Sequence, residues 1–180
     1  MPADAISLPQ VRRVLVTKLR HHGDVLLASP VLTTLKAAAP QIEIDALVYA
    51  DTADMLSEHP ALAQLHGIDR GWKKLGLLGQ GSAEWALFSQ MKARQYDLII
   101  HLTEHPRGAW LSRLLKPRWS VAPRVNGRGR FWKQSFTHFV SSIMGSGRRH
   151  VVEQNLDALR RLGIQPAADR RHLTLVPGAD

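Results

Sequence analysis

The sequence predicts a protein of the α/β class, in which helices flank a parallel β-sheet. Apolar, strand-like runs alternate with amphipathic, helix-like segments along the whole chain, and this alternation is typical of strand-helix-strand units. Internal repeats and low-complexity tracts are absent. With 180 residues, 44% of them hydrophobic, the chain is long enough for one well-buried domain and short for two. We therefore expect a single compact unit.

Five strands are predicted from runs of apolar and β-branched residues. In chain order they cover residues 14–17, 42–49, 67–72, 96–102 and 119–122. The run at 96–102 is the clearest buried strand.

Helices are predicted between these strands from apolar residues that recur at helical spacing. The first follows residue 24, and Leu27, Val31 and Leu35 share one of its faces. Because Pro30 cannot donate a backbone hydrogen bond inside a helix, this helix either kinks or begins at Ser29. Further helices are predicted over 51–57, from residue 82 onward, and over 109–115 and 151–162.

Composition excludes several classes of protein. The chain contains no Cys, so disulfides and thiolate metal ligands are excluded, and a cytoplasmic location is compatible with this. The first ten residues lack the basic start and apolar core of a secretory signal. No apolar run approaches the length of a transmembrane helix.

The turn between the first strand and the first helix is the predicted functional site. In parallel α/β sheets this turn lies at the carboxyl edge, where ligands bind. Gly23 is expected to allow a sharp reversal of the backbone. Asp24 then lies near free backbone N–H groups, which favour an ionised carboxylate that can accept a proton. The simpler alternative is that Asp24 only caps the helix.

Positive charge is concentrated in the second part of the chain. Residues 1–100 contain ten Lys/Arg and ten Asp/Glu, whereas residues 101–180 contain fourteen and five. Between Glu104 and Glu153 there is no acidic residue but there are ten basic ones. A field of one sign attracts a polyanion, such as a phosphorylated sugar, a nucleic acid or an anionic lipid surface. The alternative is a solvated basic face.

One short motif matches a zinc site, but its position in the chain does not favour metal binding. Residues 101–105 match the H-x-x-E-H pattern of some zinc peptidases, but they follow a strand and precede Pro106, so they do not form the required helix. At the carboxyl edge, Thr103, Glu104 and His105 are instead expected to line a substrate cleft.

The glycines at 76, 79 and 81 lack the Gly-Lys-Ser/Thr of a phosphate-binding loop, so residues 76–81 are predicted to be a flexible connector. The first turn contains one glycine rather than G-x-G-x-x-G, which argues against a bound dinucleotide.

Several spaced segments together resemble one known family. Residues 18–31, which include Gly23 and Asp24, resemble the opening of the bacterial lipopolysaccharide core heptosyltransferases, and four further segments follow in the family's order. These are residues 57–60, 96–103, 132–138 and 150–156. The resemblance is strongest to the member that adds the third heptose of the inner core.

This resemblance implies a Rossmann-like domain, the N-terminal half of a GT-B glycosyltransferase. Residues 11–172 would form the acceptor-side domain after a flexible stretch, 1–10, and residues 173–180 would begin an interdomain segment. The domain that binds most of the donor, ADP-heptose, would be absent, so the chain alone is expected to be inactive or nearly so.

The resemblance also implies an inverting, metal-independent transfer of heptose, with no resident cofactor and with Asp24 as the general base. The implied partners are a phosphorylated inner-core acceptor and, peripherally, the inner face of the cytoplasmic membrane. The residues expected to bind the acceptor are Lys18, Arg20, Gly23, Thr103, Glu104, His105, Arg124, Arg128, Arg130 and Lys133. Trp132 and Phe136 are expected to attach the basic loop to the core, and His138 and His150 to be structural.

Two competing functions remain open at this stage. In a nucleic-acid-binding module, the basic residues would bind phosphates and Asp24 would be a cap, although the sequence lacks a helix-turn-helix, an RNP strand and a zinc finger. A nucleotide-binding enzyme complete in itself would bind ADP without a further domain. We expect little ADP binding by this chain.

Overall fold

A computed structural model describes residues 5–141, 150–167 and 171–176. In this part of the chain, six strands form one sheet in which every neighbouring pair is parallel. The strands are β1 (Arg13–Thr17), β2 (Glu43–Tyr49), β3 (Leu62–Ile68), β4 (Leu98–His101), β5 (Trp119–Arg124) and β6 (His138–Ser141). The predicted class, a Rossmann-like parallel sheet flanked by helices, is confirmed.

The strand order β3-β2-β1-β4-β5-β6 reverses direction at β1. Val16 of β1 lies beside Ala46 of β2 on one side and beside Ile100 of β4 on the other. The connections leaving β1 and β4 therefore diverge at the carboxyl edge. Such a divergence opens a crevice, and in open α/β sheets ligands bind in it.

Helices cover both faces of the sheet. They are α1 (His22–Leu26), α2 (Ser29–Ala38), α3 (Gly76–Ala93), α4 (Pro106–Leu115), α5 (Arg130–Lys133) and α6 (Val151–Arg161). Because neighbouring residues of a strand point to opposite faces, Val14 and Val16 pack in the layer of α2 and α6, whereas Leu15 packs in the layer of α3 and α4. The sheet is thus buried between two helical layers.

The break in the first helical segment resolves the question raised by Pro30. α1 ends at Leu26, and α2 begins at Ser29 with Pro30 in its first turn, where a missing N–H costs nothing. The second of the two predicted possibilities is correct, and a separate one-turn helix carries Asp24.

The third strand was predicted too late in the chain. Residues 67–72 were expected to form it, but β3 ends at Ile68 and residues 70–75 form a 3-10 turn. β3 is an edge strand whose Ala63 and Gln64 are exposed, so it lacks the apolar run of a central strand. β6, at the opposite edge, was not predicted.

The glycine-rich stretch is helical, contrary to the predicted flexible connector. α3 begins at Gly76 rather than at Ser82. Of the three glycines in this stretch, only Gly76 has a positive φ, 71°. A side chain at Gly79 would place its Cβ 2.8 Å from the Cβ of Leu75, so that glycine permits a close approach at the start of the helix.

The described residues nearest to each end of the chain contact the domain. Residues 1–4 and 177–180, which belong to the predicted flexible and interdomain segments, lie outside the described residues. Ile6 nevertheless packs in the core, and the backbone N–H of Thr174 donates to Ser29 Oγ at 3.0 Å.

Candidate functional site

A cleft of about 290 Å³ opens where the connections after β1 and β4 diverge. We call it the β1–β4 cleft. Its lining comes from the ends of four strands and from α6, and the residues are Lys18, Arg20, Asp24, His101, Leu102, Thr103, Glu104, Pro123, Val140, Ser141, Val151, Gln154, Asn155, Asp157 and Ala158. Five of the predicted site residues therefore share one cavity: Lys18, Arg20, Asp24, Thr103 and Glu104.

Asp24 occupies the third position of α1 and is half-buried at the cleft. The N-cap of this helix is His21, so Asp24 is not the capping residue of the simpler alternative. Within the described ranges, its carboxylate forms no hydrogen bond or ion pair with a protein side chain. An acceptor of protons without a protein partner, facing a cavity, is available to a ligand hydroxyl.

The expected reason for Gly23 is wrong. Its φ is not positive, and a Cβ added there would meet no atom within 4 Å. Gly23 is therefore an ordinary helical residue that any small side chain could replace without a clash. Its lack of a side chain leaves the surface next to Asp24 open.

Lys18 is a buried cation that lines the same cleft as Asp24. Its ammonium donates to Asn155 Oδ1 at 3.0 Å and to the Leu102 carbonyl at 3.3 Å. Burial lowers the pKa of Lys18 to about 8, although the negative charge of Asp24 acts in the opposite direction. Near neutral pH this side chain holds a positive charge at the inner wall of the cleft.

Asn155 connects α6 to the segment that carries Asp24. Besides accepting from Lys18, it donates through Nδ2 to the Leu27 carbonyl at 2.8 Å. Leu27 is the residue that follows α1. Asn155 thus holds the end of β1 and the end of α1 against one helix, which positions the side chains between them.

The loop after β4 supplies the opposite wall. Thr103 is buried and Glu104 is half-buried, and both line the cleft. The Glu104 carbonyl accepts a 2.6 Å hydrogen bond from Arg128, whose guanidinium also lies 5.3 Å from the centre of the Trp132 ring. Arg128 is thereby fixed beside the loop rather than free at the surface.

His105 lies on the other side of that loop. Its Nδ1 accepts from the Arg107 backbone N–H at 3.1 Å, which caps α4, and it lines a separate groove between α3 and α4. The structure does not place it in the β1–β4 cleft. Burial lowers the pKa of His105, and so do the positive charges of Arg107, Arg128, Arg20 and Lys73. Four cations therefore surround this loop.

The remaining predicted basic residues lie further along the sheet edge. Arg124 and Lys133 line a second pocket of about 370 Å³ next to Trp132, and Arg130 is exposed at the start of α5. None of the three lines the β1–β4 cleft. Arg148 and Arg149, also part of the basic interval, lie outside the described residues.

The aromatic residues of the basic loop are structural, as predicted. Trp132 and Phe136 are buried together with Ala109 and Ala122, and the Phe136 ring stacks on His101 at 5.9 Å. Two further histidines are also hydrogen-bonded within the fold: His138 Nδ1 lies 2.7 Å from Thr137 Oγ1, and His150 caps α6.

His101 is used inside the fold rather than as a metal ligand. Its Nδ1 pairs with Thr17 Oγ1, and its Nε2 lies 3.1 Å from the His105 carbonyl. Burial lowers the pKa of His101 to about 4, so the ring is neutral at physiological pH. Gly108 is required here, because a Cβ at that position would fall 2.1 Å from His101 Nε2. In the part of the chain that the structure describes, no group of three or more His, Asp or Glu residues is arranged to hold a metal ion.

Sequence reasoning missed the contribution of α6. Gln154, Asn155 and Asp157 line the cleft from a helix that follows β1 by more than 130 residues. Asp157 Oδ1 accepts from Arg160 at 2.5 Å. A possible signal was the run of polar residues in the first turns of this otherwise amphipathic helix. Lys73 and Arg107, two of the cations near His105, were missed as well.

Comparison with curated proteins identifies the relatives of the chain. It is 40% identical to lipopolysaccharide heptosyltransferase 3 of Escherichia coli K12 over 147 residues, which cover 81% of this chain and 41% of the relative. A second Escherichia coli heptosyltransferase 3 is 36% identical over 162 residues, covering 89% and 46%. The chain is thus similar in sequence to the N-terminal parts of lipopolysaccharide heptosyltransferases. It spans less than half the length of these curated relatives. No family model matches the chain.

Solved structures of heptosyltransferase relatives share the fold. An Escherichia coli heptosyltransferase, WaaC, solved with an ADP-2-deoxy-2-fluoro heptose, matches with a TM-score of 0.74 at 24% identity, covering 87% of this chain and 50% of that one. A family 9 glycosyltransferase from Veillonella parvula matches with a TM-score of 0.73 at 21% identity, covering 91% and 44%. Among the described residues of the present chain, no helix is long and apolar enough to cross a membrane.

Proposed function

We propose that this chain is the acceptor-binding part of an inverting glycosyltransferase that transfers heptose from ADP-heptose to the inner core of lipopolysaccharide. Addition of the third heptose is the proposed reaction, because two curated relatives that match more than three quarters of this chain are both heptosyltransferase 3. The observation that carries the proposal is the partner-free Asp24 carboxylate in a cleft at the carboxyl edge of the sheet.

Asp24 acts as the general base in this proposal. An acceptor hydroxyl in the cleft donates a hydrogen bond to the carboxylate and attacks the anomeric carbon of the donor while ADP leaves from the opposite face. The proton passes to Asp24 as the new bond forms, so the carboxylate need not be strong enough to deprotonate a free alcohol. Its fixed place on α1 also orients the attacking oxygen.

The charges divide the acceptor site into two parts. The β1–β4 cleft contains the carboxylates of Asp24, Glu104 and Asp157 as well as Lys18 and Arg20. A mixture of acceptors and donors suits neutral sugar hydroxyls better than it suits a dense polyanion. We therefore assign the sugar that is modified to this cleft.

The phosphates of the acceptor are assigned to the cations around the loop after β4. Arg20, Arg107 and Arg128 all act electrostatically on His105, and Arg20 itself lines the cleft, so these cations are grouped around the loop that separates the cleft from the groove between α3 and α4. Arginine binds phosphate oxygens through paired N–H groups and lysine binds them as a point charge. Arg124, Arg130 and Lys133 lie further out and would contact only a larger acceptor.

The donor is assigned to a second domain. The chain covers 41% and 46% of two curated heptosyltransferase 3 proteins, and the strand-end turns of its own sheet lack the glycine-rich loop that binds pyrophosphate. The chain alone is proposed to bind acceptor but not ADP, and to have little or no transferase activity.

The assignment of the base is tested by Asp24→Asn in a protein that joins this chain to a donor-binding domain. Transfer of heptose from ADP-heptose to lipopolysaccharide that lacks the third heptose is measured. Because a positioned general base contributes about 10²–10⁴-fold, we expect kcat to fall by that factor. The thermal unfolding midpoint should change little, since Asp24 has no hydrogen bond or ion pair to lose and gives up only its through-space attraction to the Lys18 charge.

Asp54→Asn is the matched control. Asp54 is an exposed carboxylate in the 3-10 turn after β2, outside the β1–β4 cleft, so this variant should transfer heptose at the wild-type rate. Wild-type turnover in Asp24→Asn would remove the general-base role.

A further inference from the structure

The outer layer of α3 and α4 exposes a large apolar surface. Among the described residues, ten large apolar side chains are notably exposed, and seven of them lie on α3, on α4 or on segments that adjoin these helices. The seven are Leu75, Leu77, Leu78, Trp85, Trp110, Leu114 and Phe131. Such a concentration of exposed apolar side chains in one helical layer marks an interaction surface.

The apolar residues are most exposed at the start of α3. Leu77 and Leu78 are each 92% exposed, and Leu75, just before the helix, is 58% exposed. The side chains of Leu77 and Leu78 thus contribute almost nothing to the core of this domain. Lys73 and Lys74 directly precede them and are also exposed. We call residues 73–78 the α3 tip.

Two tryptophans continue the surface behind the tip. Trp85 is 67% exposed and Trp110 is 56% exposed, and both line an apolar groove of about 610 Å³ between α3 and α4. Tryptophan is the side chain that prefers the boundary between lipid headgroups and acyl chains, because its ring is apolar and its N–H is polar.

The charge of this layer is positive. Besides the two lysines of the tip, Lys92, Arg107 and Arg113 lie on α3 and α4. α3 and α4 contain one acidic residue, Glu84, which forms an ion pair with Arg107 at 3.1 Å. A basic surface with exposed leucines and tryptophans complements a membrane whose headgroups are anionic.

The tip and the β1–β4 cleft lie at the same edge of the molecule. β3 is parallel to β1, so the turn after β3, like the turn after β1, projects from the carboxyl edge. The loop after β4 separates them: Thr103 and Glu104 line the cleft, while His105 lines the groove that contains Trp85 and Trp110. A molecule anchored in a bilayer beneath the tip would reach the cleft across this one loop.

We propose that the α3 tip and the two tryptophans form a docking face for an anionic phospholipid bilayer, with the leucines inserted among the acyl chains and the lysines at the headgroups. The family resemblance already implies peripheral contact with the inner membrane, and the new element is the face that makes this contact. Membrane binding is measured without donor, acceptor or turnover, so it can fail or succeed independently of the proposed transferase function. It assigns the exposed apolar residues to lipid rather than to a second copy of the chain.

The first test is co-sedimentation of the 180-residue chain with vesicles of phosphatidylcholine containing about 30% phosphatidylglycerol. We expect the wild-type chain to sediment with them, and to bind pure phosphatidylcholine at least about tenfold more weakly because each lysine near the surface adds several-fold. Absence of binding to the anionic vesicles, or equal binding to both, would overturn the proposal.

The variant Leu77→Asp/Leu78→Asp tests the role of the tip. Both positions are almost fully exposed, and aspartate in the first turn of a helix is favourable, so the domain should keep its unfolding midpoint. Affinity for the anionic vesicles should fall at least about tenfold, since two leucines are no longer inserted. Retention of wild-type affinity would contradict the proposal.

Leu173→Asp/Leu175→Asp is the matched control. Leu173 and Leu175 are exposed by 46% and 52% and flank Thr174, which contacts Ser29 and Thr33 of α2 in the opposite helical layer. This variant carries the same change of charge and should bind vesicles like the wild type. An equal loss of affinity in both variants would show a general effect of charge and refute a specific docking face.

Quenching of tryptophan fluorescence by brominated phosphatidylcholine, mixed into the anionic vesicles, locates the bound face. Trp85 and Trp110 should be quenched, so the quenched fraction should fall in Trp85→Phe/Trp110→Phe, whereas the buried Trp132 should be unaffected.

Sedimentation velocity without lipid tests whether the same face instead binds a second copy of the chain. A dimer that Leu77→Asp/Leu78→Asp converts to a monomer, with vesicle binding unchanged, would assign the face to a second copy.

Discussion

Two aspartates near the same sheet have opposite environments. Asp45, in the middle of β2, is fully buried and accepts hydrogen bonds from Arg94 at 2.7 and 3.1 Å and from Tyr96 at 2.7 Å. Asp24, after β1, faces the cleft and forms no hydrogen bond or ion pair in the described ranges. The fold supplies hydrogen-bond donors to the carboxylate of Asp45 and leaves the carboxylate of Asp24 available to a ligand. A carboxylate therefore indicates function when its hydrogen-bonding capacity is unused.

The pKa of Asp45 reflects the hydrogen bonds that its carboxylate accepts. Burial alone would raise its pKa, but the hydrogen bonds from Arg94 and Tyr96, the charge of Arg94 and the nearby His66 ring, 3.8 Å away, outweigh that effect and lower the pKa to about 2. Burial raises the pKa of Tyr96, and so do its hydrogen bond to Asp45 and the negative charge of Asp45. This network joins β2 to the end of α3 and the start of β4, so it stabilises the domain at a distance from the cleft.

The largest expected difference between the two aspartates is in stability. Asp45→Ala leaves Arg94 and Tyr96 without their shared partner, and removing one member of a buried charged pair costs about 3–5 kcal/mol. We expect the free energy of unfolding to fall by about 3 kcal/mol, at the lower end of this range, because Arg94 keeps its contact with Glu43. Urea denaturation of the isolated chain measures it.

Asp24→Ala provides the comparison in the same assay. It should change the free energy of unfolding by no more than about 0.5 kcal/mol. Similar losses in both variants would mean that Asp24 has a structural partner after all, and the contrast between the two aspartates would fail.

Acid should remove the contribution of Asp45 over a defined range of pH. Because its pKa is lower in the folded than in the unfolded chain, the carboxylate stabilises the fold above about pH 4, and this contribution is lost as the pH falls towards about 2. The expected loss is about 2 kcal/mol relative to Asp45→Asn. The free energies of unfolding of the wild-type chain and of Asp45→Asn are measured by circular dichroism from neutral to acid pH. The two free energies should converge as the pH falls towards about 2. A constant difference between them would contradict the lowered pKa.

The smallest expected effect sharpens the description of the site beside Asp24. Since Gly23 is helical and has space for a Cβ, Gly23→Ala should stabilise the domain by about 0.5–1 kcal/mol. If the acceptor passes over α1, the added methyl group should weaken acceptor binding in isothermal titration calorimetry. A more stable variant with unchanged acceptor affinity would move the acceptor away from α1.

The position of Asp24 was predictable, whereas the reason given for Gly23 was not correct. Residues 14–24 contain a strand, a turn and the start of a helix in local sequence, and the rule that ligands bind at the carboxyl edge needs no further information. The conformation of Gly23 depends on α1, a five-residue helix that has too few turns for a clear periodic signal.

Elements stabilised by distant contacts were harder to predict. The central strands were found because both of their faces are buried, but β3 and β6 lie at the edges and carry polar residues. The start of α3 was missed because three glycines in six residues oppose helix formation locally. Asn155 was missed because its partners, Lys18 and Leu27, are 137 and 128 positions away.

The span of the Asn155 contacts has a consequence for synthesis of the chain. β1 and α1 leave the ribosome early, but the amide that accepts from the Lys18 ammonium and donates to the Leu27 carbonyl is translated 128 residues or more later. Until then the lysine must stay hydrated, since a buried ammonium without a partner is costly. Strand pairing can therefore begin during translation, whereas the pocket around Asp24 is completed only after α6 has emerged.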